Sequence, residues 1–143
     1  GSADIDATGN ARANWLTGNS GANVLNGGLG ADTLEGGAGA DVFVFDSALG
    51  SGNTDRIRGF APGQDQIHLD DAIFTALAAG ALDATAFAAN KAGNAKDGLD
   101  RIIYETDTGR LFYDADGDGA GAKVQFATLG TGLALTEADF LVI

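Results

Sequence analysis

Cysteine and methionine are absent from this chain of 143 residues, and proline, histidine and tryptophan each occur once. Without cysteine the chain can form neither a disulfide framework nor a thiolate metal site. The single histidine, His68, has no second imidazole with which to share a metal ion. It lies between Ile67 and Leu69, which strand alternation places on the inner face, so we expect His68 on the surface.

Basic residues are scarce, with 8 lysines and arginines against 20 aspartates and glutamates and a net charge of −12. This balance argues against nucleic acid and anionic membrane surfaces as partners, because both bind through basic patches. No apolar run approaches the roughly 18 residues of a membrane-spanning helix, so we expect no stable membrane insertion. The first residues also lack the basic segment and apolar core of a cleaved signal peptide.

Catalytic constellations are missing as well. The chain contains no serine, cysteine and histidine grouping, no phosphate-binding loop and no zinc motif. We therefore expect a non-catalytic domain, although a longer parent protein could be an enzyme.

Glycine is abundant, with 23 residues, and it is concentrated in a nonapeptide repeat over residues 18–44. Cut every nine residues, this stretch is GNSGANVLN GGLGADTLE GGAGADVFV. Its pattern, G-G-x-G-x-D-x-U-x with U a large apolar residue, is that of a calcium-binding parallel β-helix. Leu25, Leu34 and Phe43 fill the apolar position, and an earlier unit, GNARANWLT at residues 9–17, places Leu16 there.

The chemistry of one unit follows from its residue types. The last three residues form a short strand with the middle side chain inward, and the first six turn the chain through positive-φ glycines, with Asn10 and Asn19 as substitutes. Loops eighteen residues apart then stack about 4.8 Å apart. Calcium–oxygen distances of about 2.3–2.6 Å are half that spacing, so one ion can be shared between two loops. Asp32 and Asp41 would supply charge, and backbone carbonyls the remaining ligands.

These residues resemble the C-terminal RTX, or hemolysin-type calcium-binding, region of bacterial proteins exported by type I secretion. The resemblance implies a parallel β-roll of about two coils with about two to four calcium ions. It implies two ligand sets: the carbonyls of Gly18, Ser20 and Ala22 face Gly37, Gly39 and the Asp41 carboxylate, and Gly9, Ala11 and Ala13 face Gly28, Gly30 and Asp32. Asn23, like Asn14, occupies an acid position and would be a weaker ligand.

Residues 41–71 resemble the stretch that follows the roll in serralysin-type secreted proteases, with its D-x-I-x-x-F and G-x-D-x-I patterns. Asp55 and Asp65 fall on the acids of these patterns. The resemblance implies a further calcium site that could include Asp46. Turn capping by the same acids is an equal alternative, because aspartate favours turns.

The chain divides into three segments in this interpretation. Residues 1–8 are a tag remnant and linker, residues 9–45 are the RTX parallel β-roll, and residues 46–143 continue the roll and cap it. The expected fold class is all-β dominated, a short calcium-binding parallel β-roll followed by a β-rich cap with one or two short helices. We place the helices after the caps Asp70 and Asp71, ending at Gly80, and at residues 83–89, with Trp15 packed beneath one of them.

The remainder of the cap is predicted from alternation and turns. Residues 101–105, 110–113 and 123–129 form a three-stranded meander. Residues 114–119, DADGDG, resemble half of an EF-hand loop, but Gln125 replaces the glutamate and helices do not flank it, so an acidic hairpin tip is the preferred interpretation. Thr136 and Asp139 indicate a capped turn.

The last residues, Phe140 to Ile143, are apolar and resemble the uncleaved C-terminal secretion signal of this family. A final edge strand is the alternative, and both can hold because the signal is recognised in the unfolded chain. The predicted partners are thus calcium and the type I secretion machinery, and the predicted location is outside the bacterial cell.

The functional interpretation is a calcium-triggered folding switch. In the calcium-poor cytosol the acidic, glycine-rich repeat stays unfolded, and outside the cell calcium binding drives folding. Two alternatives share the calcium sites. One is a carbohydrate-binding accessory module of a polysaccharide-active enzyme, using Trp15, Tyr104, Tyr113 and basic residues. The other is the terminal module of an RTX adhesin.

Overall fold

A computed structural model describes all 143 residues. It contains thirteen short strands and two 3₁₀ turns, joined by loops. No helix has the length and apolar character needed to cross a membrane. The strands are β1 (Asp6–Thr8), β2 (Trp15–Thr17), β3 (Val24–Asn26), β4 (Thr33–Glu35), β5 (Val42–Phe45), β6 (Asp55–Arg58), β7 (Gln66–Leu69), β8 (Gly80–Ala81), β9 (Phe87–Asn90), β10 (Ile102–Glu105), β11 (Arg110–Tyr113), β12 (Val124–Thr128) and β13 (Phe140–Val142).

The nonapeptide strands alternate between two sheets, because each short strand is followed by a turn that reverses the chain, and within each sheet these strands pair in parallel. The first sheet has the order β1-β3-β5-β7-β13-β8, and the second β2-β4-β6-β12-β11-β10-β9. Ala7 pairs with Leu25, Leu25 with Phe43, and Leu16 with Leu34, each eighteen residues apart. This is the predicted parallel β-roll, and the all-β fold class is confirmed.

The core begins between the two sheets of the roll. Leu25, Leu34 and Phe43, which the repeat places inward, are completely buried, and Leu16 in the first coil is partly buried. Ile57 and Ile67 continue the same apolar column beyond the repeats. The core therefore grows along the chain and is thinnest at the N-terminal coil.

Residues beyond the roll extend both of its sheets. β10, β11 and β12 form the predicted antiparallel meander, and β12 joins the roll by pairing in parallel with β6. β13 pairs in parallel with β7 on one side and antiparallel with β8 on the other. The C-terminal strand therefore lies inside the first sheet and is not its edge.

The two predicted helices do not form as α-helices. In residues 72–80 the Phe74 N–H donates to the Asp70 carbonyl at 2.8 Å, but the Ala76 N–H donates to the Tyr113 hydroxyl at 2.8 Å and leaves the helical pattern. Asp83 caps only the 3₁₀ turn Ala84–Ala86, which runs directly into β9. The other 3₁₀ turn, Glu137–Asp139, is the predicted capped turn, in which Asp139 Oδ2 accepts the Thr136 N–H at 2.9 Å.

Three further local expectations can be compared with the structure. Asp6–Thr8, expected in a linker, form β1 in the first sheet, and Asp4 Oδ1 accepts the Ala22 N–H at 2.9 Å. Trp15 is 63% exposed, since no helix covers it. His68 lies half-buried on the outer side of β7, 3.3 Å from Gln66, and burial lowers the pKa of its imidazole.

An aromatic cluster joins the roll to the cap. The Phe74 ring meets Tyr113 and Phe126 edge-on, each with ring centroids 5.1 Å apart, and Phe45 meets Phe126 at 5.2 Å. Edge-to-face pairs add to the free energy of area burial. The cluster ties residues 72–80 to the end of the roll and to the meander.

Replacing Phe74 by alanine should therefore lower the free energy of unfolding of the calcium-saturated domain by about 3–5 kcal/mol. Chemical denaturation in excess calcium measures this change. Leu99→Ala is the control, because Leu99 is 59% exposed and its truncation should cost no more than about 0.5 kcal/mol. Equal effects of the two substitutions would contradict the assignment of Phe74 to the core.

Candidate calcium sites

Loops between the roll strands stack in two columns, one along each edge. The first edge carries residues 9–14, 27–32 and 46–54, and the second carries residues 18–23, 36–41 and 59–65. Gly37 and Gly39 both have φ +107°, and a Cβ on either would lie 2.3 Å from the Asn19 or the Gly21 carbonyl oxygen. Glycine is required there because neighbouring backbones nearly touch.

The acid positions of successive loops are joined by hydrogen bonds. Asp32 Oδ1 accepts the Asn14 N–H at 2.7 Å, and Asp41 Oδ1 accepts the Asn23 N–H at 2.9 Å. Asp55 and Asp65 continue the two columns, accepting the N–H groups of Asp32 and Asp41 at 3.0 Å each. The structure thus brings these predicted acids into register, one loop above the next.

Asp32 and Asp41 each keep a second oxygen without a partner. Both Oδ2 atoms are buried and accept no hydrogen bond, and the residues are only 2% and 1% exposed. Burial raises the pKa of Asp41. A buried carboxylate oxygen without a donor is costly, and calcium is a hard cation that prefers such oxygens.

The oxygen atoms of the loops that carry these carboxylates are of the kind that calcium binds. No three histidine, cysteine, aspartate or glutamate side chains lie close enough together to hold a metal ion. Main-chain oxygens are close instead: the Asn19 and Gly21 carbonyls approach the Asp41 loop, and the Arg12 carbonyl approaches Gly30. A site with one carboxylate and several carbonyls suits calcium's six to eight oxygen ligands.

The two asparagine-containing loops are closed differently. Asn14 Oδ1 accepts the Asn10 N–H and Asn23 Oδ1 accepts the Asn19 N–H, both at 2.7 Å. Asn10 and Asn19 in turn accept the N–H groups two residues later, at 2.9 and 2.7 Å. The prediction that Asn10 and Asn19 adopt positive φ is wrong, because only glycines do so and the side-chain amides close these turns. The Asn23 oxygen is thereby already occupied.

The loops after the repeats are also closed by side chains. Asp65 uses both oxygens, because its Oδ2 accepts the Ala61 N–H at 2.9 Å, and this arrangement supports the capping interpretation. Gln64 Nε2 donates to the Gly39 carbonyl at 2.6 Å. Asn53 Oδ1 accepts the Gly30 N–H at 2.9 Å. Sequence reasoning missed Asn53 and Gln64, because both lie outside the nonapeptide pattern.

The other predicted site residues lie around these columns. Gly9 and Gly18 face the loops above, since a Cβ on either would lie 2.3 Å from the Gly27 or Gly36 carbonyl. The N–H groups of Ser20 and Ala22 donate to the N-terminal residues, at Gly1 and Asp4. The remaining members are Ala11 and Ala13, exposed on the loop below Gly28 and Gly30.

Two further acidic positions take no part in the hydrogen bonds that join the acids of successive loops. Asp46 is exposed, and its Oδ2 accepts a hydrogen bond from Asn26 Nδ2 at 2.8 Å. Asp114 accepts the Asp116 N–H at 3.3 Å, and Asp116 accepts the Gly121 N–H at 2.7 Å. These internal hydrogen bonds are those of an acidic tip between β11 and β12, the preferred interpretation of residues 114–119.

Comparison with known proteins agrees with this geometry. Residues 8–43 match the RTX calcium-binding nonapeptide repeat in four copies. The fold is similar to the solution structure of the AlgE6R3 subunit from the Azotobacter vinelandii mannuronan C5-epimerase, with 25% identity and a TM-score of 0.55 over 96% of this chain and 77% of that chain. A search of curated proteins found no match. Residues 8–43 are therefore RTX calcium-binding repeats, and they form the roll of this all-β fold.

The close approach at Gly37 makes a direct prediction. Gly37→Ala should destabilise the calcium-loaded roll more than Gly52→Ala, whose Cβ would meet no atom within 4 Å although φ is +84°. Both carry the positive-φ cost of about 1–2 kcal/mol, so their difference isolates the overlap with the Asn19 carbonyl. Calcium titration and denaturation of both variants measure it, and equal losses would refute the stacked-loop geometry.

The buried acids predict a pH dependence without calcium. Burial is the main cause that raises the pKa of Asp55 from 3.8 to about 7. Between these values the folded chain holds a proton that the unfolded chain has lost, so folding weakens as pH rises through this window. The EDTA-treated domain should therefore contain more β-structure at pH 5 than at pH 7.5.

Asp55→Asn tests the origin of this effect. The amide cannot titrate and keeps an oxygen for the Asp32 N–H, so the variant should be more folded than wild type at pH 7.5 without calcium. Asp46→Asn removes the same charge from an exposed residue and serves as the control. Far-ultraviolet circular dichroism that shows no difference between the two variants would contradict the assignment to Asp55.

Proposed function

We propose that this domain folds when calcium binds outside the cell and stays unfolded in the calcium-poor cytosol. The observation that carries the proposal is the pair of buried, unpartnered Oδ2 atoms on Asp32 and Asp41. Each unsatisfied oxygen costs about 1–3 kcal/mol, against a total of about 5–15 kcal/mol for a typical domain. Calcium removes this cost only when the loops are stacked, so its binding free energy becomes folding free energy.

The net charge of −12 strengthens the switch. Self-repulsion opposes the compact state until cations neutralise part of it. Extracellular calcium modules typically have dissociation constants of about 10⁻⁴–10⁻³ M. Sites in this range fill outside the cell and stay empty in the calcium-poor cytosol.

We assign one ion to each edge of the roll. One would lie between residues 9–13 and 28–32 and the other between residues 18–22 and 37–41, the two sets that the family resemblance implies. The asparagine amides close the loops below, and Asp65, Gln64 and Asn53 bond to the loops above. The count of two is the lower end of the sequence-based expectation.

Calcium titration of the EDTA-stripped domain, followed by far-ultraviolet circular dichroism, tests the proposal. A cooperative transition to β-structure near millimolar calcium is expected, with two ions bound per chain by equilibrium dialysis and no transition in magnesium. Asp32→Asn and Asp41→Asn should each weaken the binding of one ion, whereas Asp46→Asn should leave both. A stripped chain that is already folded at neutral pH would overturn the switch.

We further propose that the C-terminal strand carries the type I secretion signal. In the folded domain Phe140 and Val142 are buried in the first sheet, 2% and 3% exposed, so these two side chains are accessible only before folding. Export and calcium-triggered folding would then be ordered by compartment.

Export from cells that contain a type I secretion system tests this assignment. A chain without residues 140–143 should remain inside, because it lacks the signal. In the proposed switch the chain is unfolded in the cytosol with or without these residues, so a change in folding would not explain the loss of export. Phe74→Ala weakens folding but leaves the signal intact, so this control should be exported normally. Export of the truncated chain at the control level would place the signal elsewhere.

We propose a structural and not a catalytic role for this domain. A longer parent protein could still be an enzyme, since the structural neighbour is a subunit from a mannuronan C5-epimerase. The carbohydrate-binding alternative loses two of its residues. Tyr104 and Tyr113 are buried, and their hydroxyls are bonded to the Gly130 carbonyl and the Ala76 N–H. The adhesin alternative shares the calcium sites and stays a prediction.

A further inference from the structure

The outer face of the second sheet carries a basic and aromatic surface. Trp15 on β2 points outward and is 63% exposed, and the outward residues of β6 are Arg56 and Arg58. The register places Thr33 between Trp15 and Arg56, so all of these side chains share one face.

A groove of about 350 Å³ runs beside these arginines. Its far wall is the segment after β12 together with Thr108 from the turn between β10 and β11. Its polar lining consists of Arg56, Arg58, Thr108, Thr128 and Thr131. Two guanidinium groups and three hydroxyls therefore line one open groove, which Trp15 flanks.

The two arginines are not used within the fold. The Arg101 guanidinium donates to the Gly98 and Asp100 carbonyls, and Lys123 Nζ donates to Asn94. Neither Arg56 nor Arg58 donates a side-chain hydrogen bond; the Arg58 guanidinium instead lies over the Trp15 ring, 5.5 Å from its centroid. In a chain with 20 acids, two adjacent arginines without a carboxylate partner leave their donors free for a ligand.

We propose that this groove binds a carboxylated saccharide, such as a short segment of a polyuronate. The guanidinium fork matches a carboxylate with two parallel hydrogen bonds. Threonine hydroxyls can both donate to and accept from sugar hydroxyls. The exposed indole offers an apolar face with a polar edge, which suits a ring that is apolar on one side.

The charge of the whole chain selects among anionic ligands. A nucleic acid carries about one phosphate per 3.4 Å of each strand and binds mainly through that charge. The net charge of −12 opposes any long polyanion, so the proposed ligand is a short oligomer whose affinity does not depend on charge alone. A sugar acid is recognised through hydroxyls and the ring as well as charge. The proposal requires the folded roll and therefore rests on the calcium-dependent folding proposed above.

Glu35 gives the surface a sensitive internal test. It is directly opposite Arg58 on β4, and its carboxylate lies on the same outer face. A bound carboxylate would be repelled by Glu35 and attracted by Arg58. Opposite charge changes at two neighbouring positions should therefore change affinity in opposite directions.

Calorimetric titration with oligomers of a hexuronic acid provides the test, with neutral hexose oligomers of equal length as the comparison ligand. The calcium-loaded domain is used, free calcium is held constant by dialysis, and circular dichroism first confirms that each variant is folded. Arg56→Ser with Arg58→Ser should weaken uronate binding about tenfold or more, since each charge-assisted hydrogen bond is strong. Glu35→Gln should tighten it about two- to threefold.

The matched control is Lys91→Ser with Lys96→Ser, which removes the same charge from the loop after β9 and should leave the affinity within about twofold. Equal weakening by both double variants would show that the loss of affinity comes from net charge, and this result would overturn the site. Equal affinity for neutral oligomers would overturn the carboxylate assignment.

Nuclear magnetic resonance of the wild-type domain supplies a readout that needs no variant. The Trp15 indole N–H should shift on adding the uronate oligomer, and shifts confined to other surfaces would overturn the groove. If the domain stays unfolded in calcium, circular dichroism shows this before any ligand is added, so failure of the folding proposal is distinguished from failure of the binding proposal.

Discussion

The structure depends on carboxylates that bridge one turn of the roll to the next. Asp32 and Asp41 each accept a backbone N–H from the loop eighteen residues earlier and keep a second, buried oxygen free. That free oxygen is unfavourable in the folded chain without calcium and favourable beside a divalent cation. The same residues therefore specify the register of the coils and, in the proposed switch, make the coils dependent on calcium.

The surrounding loops are closed by hydrogen bonds, and no aspartate oxygen is left free in them. Asparagine amides close residues 10–14 and 19–23, while Asp65 satisfies both of its oxygens with N–H groups. The proposed ions thus lie between two sets of hydrogen-bonded loops. Beyond them, the aromatic cluster around Phe74 gives the C-terminal half a core that the thin first coil lacks.

Edges and faces of the roll have separate roles. Its edges consist of loops whose backbones almost touch, and the proposed cations bind between these loops. Its faces consist of outward strand residues, which the calcium sites leave free to vary. The groove beside Arg56 and Arg58 lies on such a face, so the proposed saccharide site and the calcium sites can coexist without sharing a ligand.

Local periodicity determined the roll, because nine-residue spacing specifies strand, turn and inward side chain at once, and the four repeats, Leu25, Leu34, Phe43 and the acid columns follow from it. The meander also followed from alternation. Tertiary structure decided what depends on distant partners: the Tyr113 hydroxyl takes the Ala76 N–H and prevents a helix, β8 covers β13, and Asn53 reaches Gly30. These contacts join residues far apart in the chain, and no local pattern encodes them.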